Sequence, residues 1–163
     1  YVLHPYQMVK DLRTQVEILK NELDWLPVSE SFECNKVMNR SIRRTQELVR
    51  KIQGTHYKEK VHTDTRRTAE HLIPQNLLTE AYKEGHLSFE QIVSMPIVDL
   101  SESSDALLQS NGFANINNDW IYPFLRYKKA GIDENIYLPN GIKIQFDKWS
   151  MEDHFRVYPE IAL

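Results

Sequence analysis

The stretch Tyr137-Leu138-Pro139-Asn140-Gly141-Ile142-Lys143-Ile144-Gln145-Phe146 decides the fold class. Asn140-Gly141 is the dipeptide that most readily supplies the positive-φ positions of a tight turn. Beyond it Ile142, Ile144 and Phe146 alternate with polar residues, the period-two pattern of a half-buried strand. The elements read before it are all helices, so this segment makes the chain α+β rather than all-α. Immediately after it, Ser150 stands where a helix cap belongs. Glu152 and Asp153 follow in a first turn that favours negative charge, which predicts a short closing helix from Met151 to Val157.

Working back towards the N-terminus, Ser104 to Ser110 reads as a helix stopped by Asn111-Gly112. Ser88-Phe89-Glu90-Gln91 has the Ser-x-x-Gln spacing of a capping box and predicts another helix start. Pro74 to Glu84 is a further short helix. Lys58 to Arg67, with Lys58, Lys60, His62, Arg66 and Arg67, is polar and basic and reads as a linker or an exposed entry into the second half.

The first third is helical. Met8, Leu12, Val16, Leu19, Leu23 and Leu26 recur at spacings of three and four, one apolar stripe that Pro27 ends. Cys34, Met38, Ile42, Thr45, Val49 and Ile52 form a second stripe within Ser31 to Gln53, with Gly54 as its stop. The two predict a helical hairpin scaffold over residues 1–57, followed by a mixed region over residues 58–163, the whole folding as one unit. Off its stripe the second helix carries Lys36, Arg40, Arg43, Arg44, Arg50 and Lys51. Such a face suits nucleic-acid phosphates; it is also what an ordinary solvated face looks like, with Glu47 paired to Arg43 or Arg44.

A chain of 163 residues with 41% hydrophobic residues, three Trp, eight Tyr and six Phe can fill one core, and 26% charged residues is unlike a disordered chain. The net charge of −3 excludes a uniformly basic surface, though not a local basic stripe. A single cysteine, Cys34, excludes an internal disulfide framework and any multi-Cys zinc site. No apolar run reaches membrane-spanning length, so no membrane association is expected. The opening Tyr1-Val2-Leu3-His4-Pro5-Tyr6 has neither Met nor a basic n-region and reads as a fragment boundary or a processed start. With Cys34 the lone thiol, a reducing, cytoplasmic compartment is expected.

The residues that could carry chemistry lie in the second half. Thr68-Ala69-Glu70-His71-Leu72-Ile73-Pro74 sets a carboxylate directly before a histidine. Hydrolysing a phosphodiester takes a base to activate water and a cation to neutralise developing charge. Glu70 and His71 can serve one site together only if the backbone turns, because neighbours in a regular strand point to opposite faces.

This stretch resembles the first motif of HNH nucleases, in particular the toxin-like branch reading Ala-His-His-hydrophobic-hydrophobic-Pro, with Glu70 where that branch has its first histidine. Gly131-Ile132-Asp133-Glu134-Asn135-Ile136-Tyr137-Leu138-Pro139 is similar to that branch's asparagine segment. His154-Phe155-Arg156-Val157-Tyr158 is similar to its closing segment. The resemblance implies a ββα-metal site in which His71 is the general base and Glu70 and His154 hold one divalent ion (Mg, Mn or Zn). Asn135 would orient the base or the scissile strand, with Asn118 as the alternative asparagine. It implies a nuclease acting on DNA or RNA. The alternative from a different class is a non-catalytic module whose N-terminal helices bind a protein or RNA partner. In that case His71 is a structural histidine, Glu70 a solvated carboxylate and Asn135 a turn residue. His62 and His86 read as surface histidines.

Tyr1 to Glu17 resembles a segment near the C-terminus of bacterial class-I peptide release factors. Those factors act through a Gly-Gly-Gln loop. None occurs here, and the five glycines are isolated from one another, so release activity does not carry over.

Overall fold

In the computed structural model, described for residues 14–15, 17–18, 20–21, 32–61, 66–112 and 120–159, six helices and four strands follow one another. They are α1 (Phe32–Gln53), β1 (Tyr57–Glu59), β2 (Arg67–His71), α2 (Gln75–Lys83), α3 (Phe89–Val93), β3 (Ile97–Ser101), α4 (Glu102–Ser110), α5 (Leu125–Ala130), β4 (Ile136–Tyr137) and α6 (Met151–Val157). The fold is α+β, as the sequence predicts. The helix expected from Tyr6 to Leu26, and with it the hairpin, falls largely outside the described residues; Thr14, Gln15, Glu17, Ile18, Lys20 and Asn21 are helical. No helix among the described residues is long and apolar enough to cross a membrane.

The chain divides into two compact units. One takes in α1 and Leu78–Ser94, the other Thr55–Leu77 and Met95–Pro159. The helical segment Leu78–Ser94 clusters with α1 and not with the residues that flank it in sequence.

In the first unit α1 buries Ile42, Thr45 and Val49 of its expected stripe, and Gln46 beside them. Gln46 Nε2 donates to the Ile92 carbonyl at 3.1 Å and ties α1 to α3. The Ser88 capping box forms as read: Gln91 N donates to the Ser88 hydroxyl at 3.1 Å, and Ser88 N to Gln91 Oε1 at 2.9 Å.

The second unit is built on a four-stranded sheet in the order β2-β3-β1-β4. β1 and β3 are parallel, whereas β2 runs antiparallel to β3 and β4 antiparallel to β1. A parallel pair cannot be closed by a hairpin, so the long chain between β1 and β3 is required by the topology. The core gathers Tyr57, Leu72, Val98, Leu100, Phe124, Tyr127, Ile136, Ile144 and Phe146. Phe124 stacks on Phe146 at 5.7 Å and meets Tyr57 edge-on at 5.1 Å. Pairs of this kind add about 0.5–1.5 kcal/mol beyond the area they bury.

All four strands lie where the sequence predicts none. Lys58 to Arg67 is no mere linker: Tyr57–Glu59 pairs on both edges, and Glu59 is only 4% exposed within it. Its carboxylate accepts from Ser101 N at 2.9 Å and Ser104 Oγ at 2.5 Å, holding β1 to the first turn of α4. Conversely, Ile142 to Phe146 forms no strand beyond a single bridge, Tyr137 to Lys143. The turn falls where expected, with positive φ at Gly141 (+91°) but not at Asn140, and Leu138 N donates to the Ile142 carbonyl at 2.9 Å. Ile144 and Phe146 are buried while Ile142 is 52% exposed, so the alternation persists, and Ile144 N donates to the Ile136 carbonyl of β4 at 2.8 Å.

Candidate functional site

Glu70 and His71 are the last two residues of β2, paired with Val98 and Ile97 of β3. The register runs unbroken through His71, so the pleat directs the two side chains to opposite faces. The bend that could have brought them together comes one residue later, at Leu72 and Ile73.

Glu70 is committed to α5. Its Oε1 receives a hydrogen bond from Arg126 Nη1 and another from the Tyr127 hydroxyl at 3.3 Å. The same guanidinium nitrogen donates to the carbonyls of His71 at 3.4 Å and Leu72 at 3.2 Å, fixing the end of the strand. The side chains of Arg126 and Glu70 are 2% and 11% exposed, which makes this a buried ion pair. Burial pushes the Glu70 carboxyl up to about 7, and the charge of Asp105 adds to the rise; Arg126 and Tyr127 work against it. A carboxyl in this range can gain and lose a proton near neutral pH.

His154, on α6, is fully buried. Its Nδ1 lies 2.8 Å from the Tyr57 hydroxyl, whose oxygen also accepts from Trp149 Nε1 at 2.9 Å. The indole can only donate, so the Tyr57 oxygen accepts from it, and the Tyr57 hydrogen goes to His154 in the tautomer whose Nδ1 is unprotonated. His56 packs against this group, 5.2 Å from the His154 ring and 4.4 Å from that of Tyr158, and its Nδ1 accepts from Ile97 N at 3.2 Å. Burial, with a lesser effect of His154, lowers the His56 pKa to about 3.

Asn135 closes the sheet edge: its carbonyl accepts from Lys60 N at 2.9 Å, and its side-chain amide donates back to the Lys60 carbonyl. His86 is exposed and lies 3.3 Å from Glu84. Asn118 and His62, and the side chain of Cys34, fall outside the described residues.

Glu70, His71, Asn135 and His154 thus share one compact unit, yet Glu70, Asn135 and His154 each bond to a different partner. As they stand, Glu70 and His154 do not fit a resident divalent ion. The Glu70 carboxylate already faces a guanidinium, which would repel a second cation, and the His154 Nδ1 faces Tyr57 within the core. Among the described residues no group of three or more His, Cys, Asp or Glu is arranged to hold a metal. Sequence reading passed over Arg126, Tyr127, Tyr57, Trp149 and His56; nothing local to Leu125-Arg126-Tyr127 marks Arg126 as the partner of a residue on β2.

The chain matches no protein-family model, no curated protein and no solved structure.

Proposed function

We propose that this chain acts in the cytoplasm on DNA or RNA as an HNH-like nuclease, with His71 as its base. The supporting observation is that the three motif segments, residues 68–74, 131–139 and 154–158, lie in one compact unit although long stretches of chain separate them. The first supplies β2, the second leads into β4, and the third lies in and just beyond α6, whose His154 bonds to β1. His71 is only partly buried, and Arg126 anchors its backbone. In hydrolysis its imidazole takes a proton from water as the water oxygen bonds to phosphorus. The bond from phosphorus to the leaving sugar oxygen breaks, and that oxygen takes up a proton from solvent. A divalent ion, Mg, Mn or Zn, belongs to the resemblance, and the proton transfer at His71 does not draw on it.

A second reading, a non-catalytic binding module, is favoured by a different observation. Glu70, Asn135 and His154 all spend polar atoms on bonds that hold the fold.

Purified chain incubated with DNA or RNA, with Mg²⁺, Mn²⁺, Zn²⁺ or a chelator, separates the two. Cleavage that disappears in His71→Ala at an unchanged melting temperature supports the nuclease. If wild-type protein leaves both substrates intact under every condition, the binding module replaces it.

A further inference from the structure

Helix α1 carries a surface unrelated to Glu70 and His71. At about 100° per residue, Lys36, Arg40, Arg43, Arg44, Arg50 and Lys51 fall within an arc of roughly 120°. The buried residues Ile42, Thr45, Gln46 and Val49 occupy the opposite arc. Five of the six cations are exposed and Arg50 is partly so. The row runs about 22 Å from Lys36 to Lys51. Glu47, also exposed, is the one carboxylate in its middle, and among the described residues it forms no ion pair with Arg43 or Arg44.

We propose that this outer face of α1 binds the phosphate backbone of nucleic acid. The inference rests on the nucleic-acid side of the proposed function and is independent of cleavage. Charge complementarity carries it: six cations are concentrated on one helix face of a chain whose net charge is −3. The array is linear, as is a polyanion with regularly spaced phosphates. Four of the six are arginines, whose planar fork pairs with phosphate oxygens two at a time. An anionic membrane is the poorer fit. A helix lying in a bilayer surface must bury its apolar face there, and α1 already buries Ile42 and Val49 in the protein.

The test is equilibrium binding of the full chain to a short labelled duplex and to single-stranded RNA, with chelator present so that metal-dependent cleavage is off. Salt is varied from about 50 to about 200 mM. Each phosphate contact contributes roughly 0.9 to the slope of log K against log salt for duplex DNA, and roughly 0.7 for a single strand. Arg40→Gln/Arg43→Gln/Arg44→Gln should therefore lower the slope by about 2 to 3 and weaken binding, with the melting curve unchanged. Glu47→Lys should tighten binding and raise the slope by about 1, a gain that misfolding cannot imitate. Wild-type slopes in both variants would overturn the proposal. So would binding to phosphatidylserine vesicles, or to polyglutamate, in preference to either nucleic acid. Lost binding in a protein whose His71-dependent cleavage persists would count against other surfaces and for α1; intact binding beside failed cleavage would remove the nuclease alone.

Discussion

The Tyr57 hydroxyl on β1 and Nδ1 of His154 on α6 meet at 2.8 Å, joining residues 97 apart in sequence. Trp149 completes a donor chain into the same hydroxyl, and the rings of His56, Phe124 and Tyr158 enclose it. His154 is thereby part of the core before it is part of any chemistry.

Tyr57→Phe keeps the ring and its packing but strips the hydroxyl from the buried His154 and the partly buried Trp149. Leaving a buried donor or acceptor unsatisfied costs about 1–3 kcal/mol, so the denaturant midpoint should fall by that equivalent with little change in slope. An unaltered midpoint would mean that the Trp149–Tyr57–His154 chain is not made in solution.

His154→Ala distinguishes the two functional readings. A histidine that serves the core should lower the melting temperature whether or not metal is added. A metal ligand should instead lose metal affinity and regain activity when extra metal is supplied. Thermal melts and cleavage assays across a metal titration would tell these apart.

Arg126→Met removes the cation beside Glu70, and the cost should depend on pH. The folded-state pKa of Glu70, about 7, lies above its ordinary 4.5. The folded form therefore holds the proton more tightly, a contribution fully present below 4.5 and lost as pH rises through about 7. Above neutrality the variant would bury a carboxylate with no cation, at a cost of about 3–5 kcal/mol. Near pH 5 (about two units below the raised value) the carboxyl is protonated and the cost should shrink markedly. Equal destabilisation at both pH values would contradict the buried ion pair.

His56 predicts an acid limit of opposite sign. Its pKa is depressed from 6.5 to about 3, so its stabilising contribution is present above 6.5 and drains away as pH falls towards 3. Comparing wild type with His56→Gln isolates this group, and the wild type should lose its advantage progressively through that window. A constant difference between the two proteins would show that His56 can be protonated without cost.

Much of the helical architecture was legible because its determinants are local. The Ser88 capping box and the Ser150 cap each close within three residues, and both form where the sequence places them. The positive φ of Gly54 and Gly112 likewise follows the stops read at the ends of α1 and α4. The candidate residues were also legible as residue types, although their partners were not. Asn135 reads as a turn residue until Lys60 supplies both halves of its backbone and side-chain pairing.

What the sequence determined by itself was therefore α1, whose apolar stripe recurs every three or four residues, the capped starts of α3 and α6, and the turn at Asn140-Gly141. Only the tertiary structure decided that β1 is a strand, that β1 and β3 run parallel, and that Glu70 belongs to Arg126 and His154 to Tyr57. A strand of three residues such as Tyr57–Glu59 is too short to display a period, and its buried Glu59 looks polar until Ser101 and Ser104 satisfy it. The physical reason is the range of the interaction. Helical bonds and caps link residues three or four apart, whereas Glu70–Arg126 spans 56 positions and Tyr57–His154 spans 97, pairings that exist only once the chain has folded back on itself.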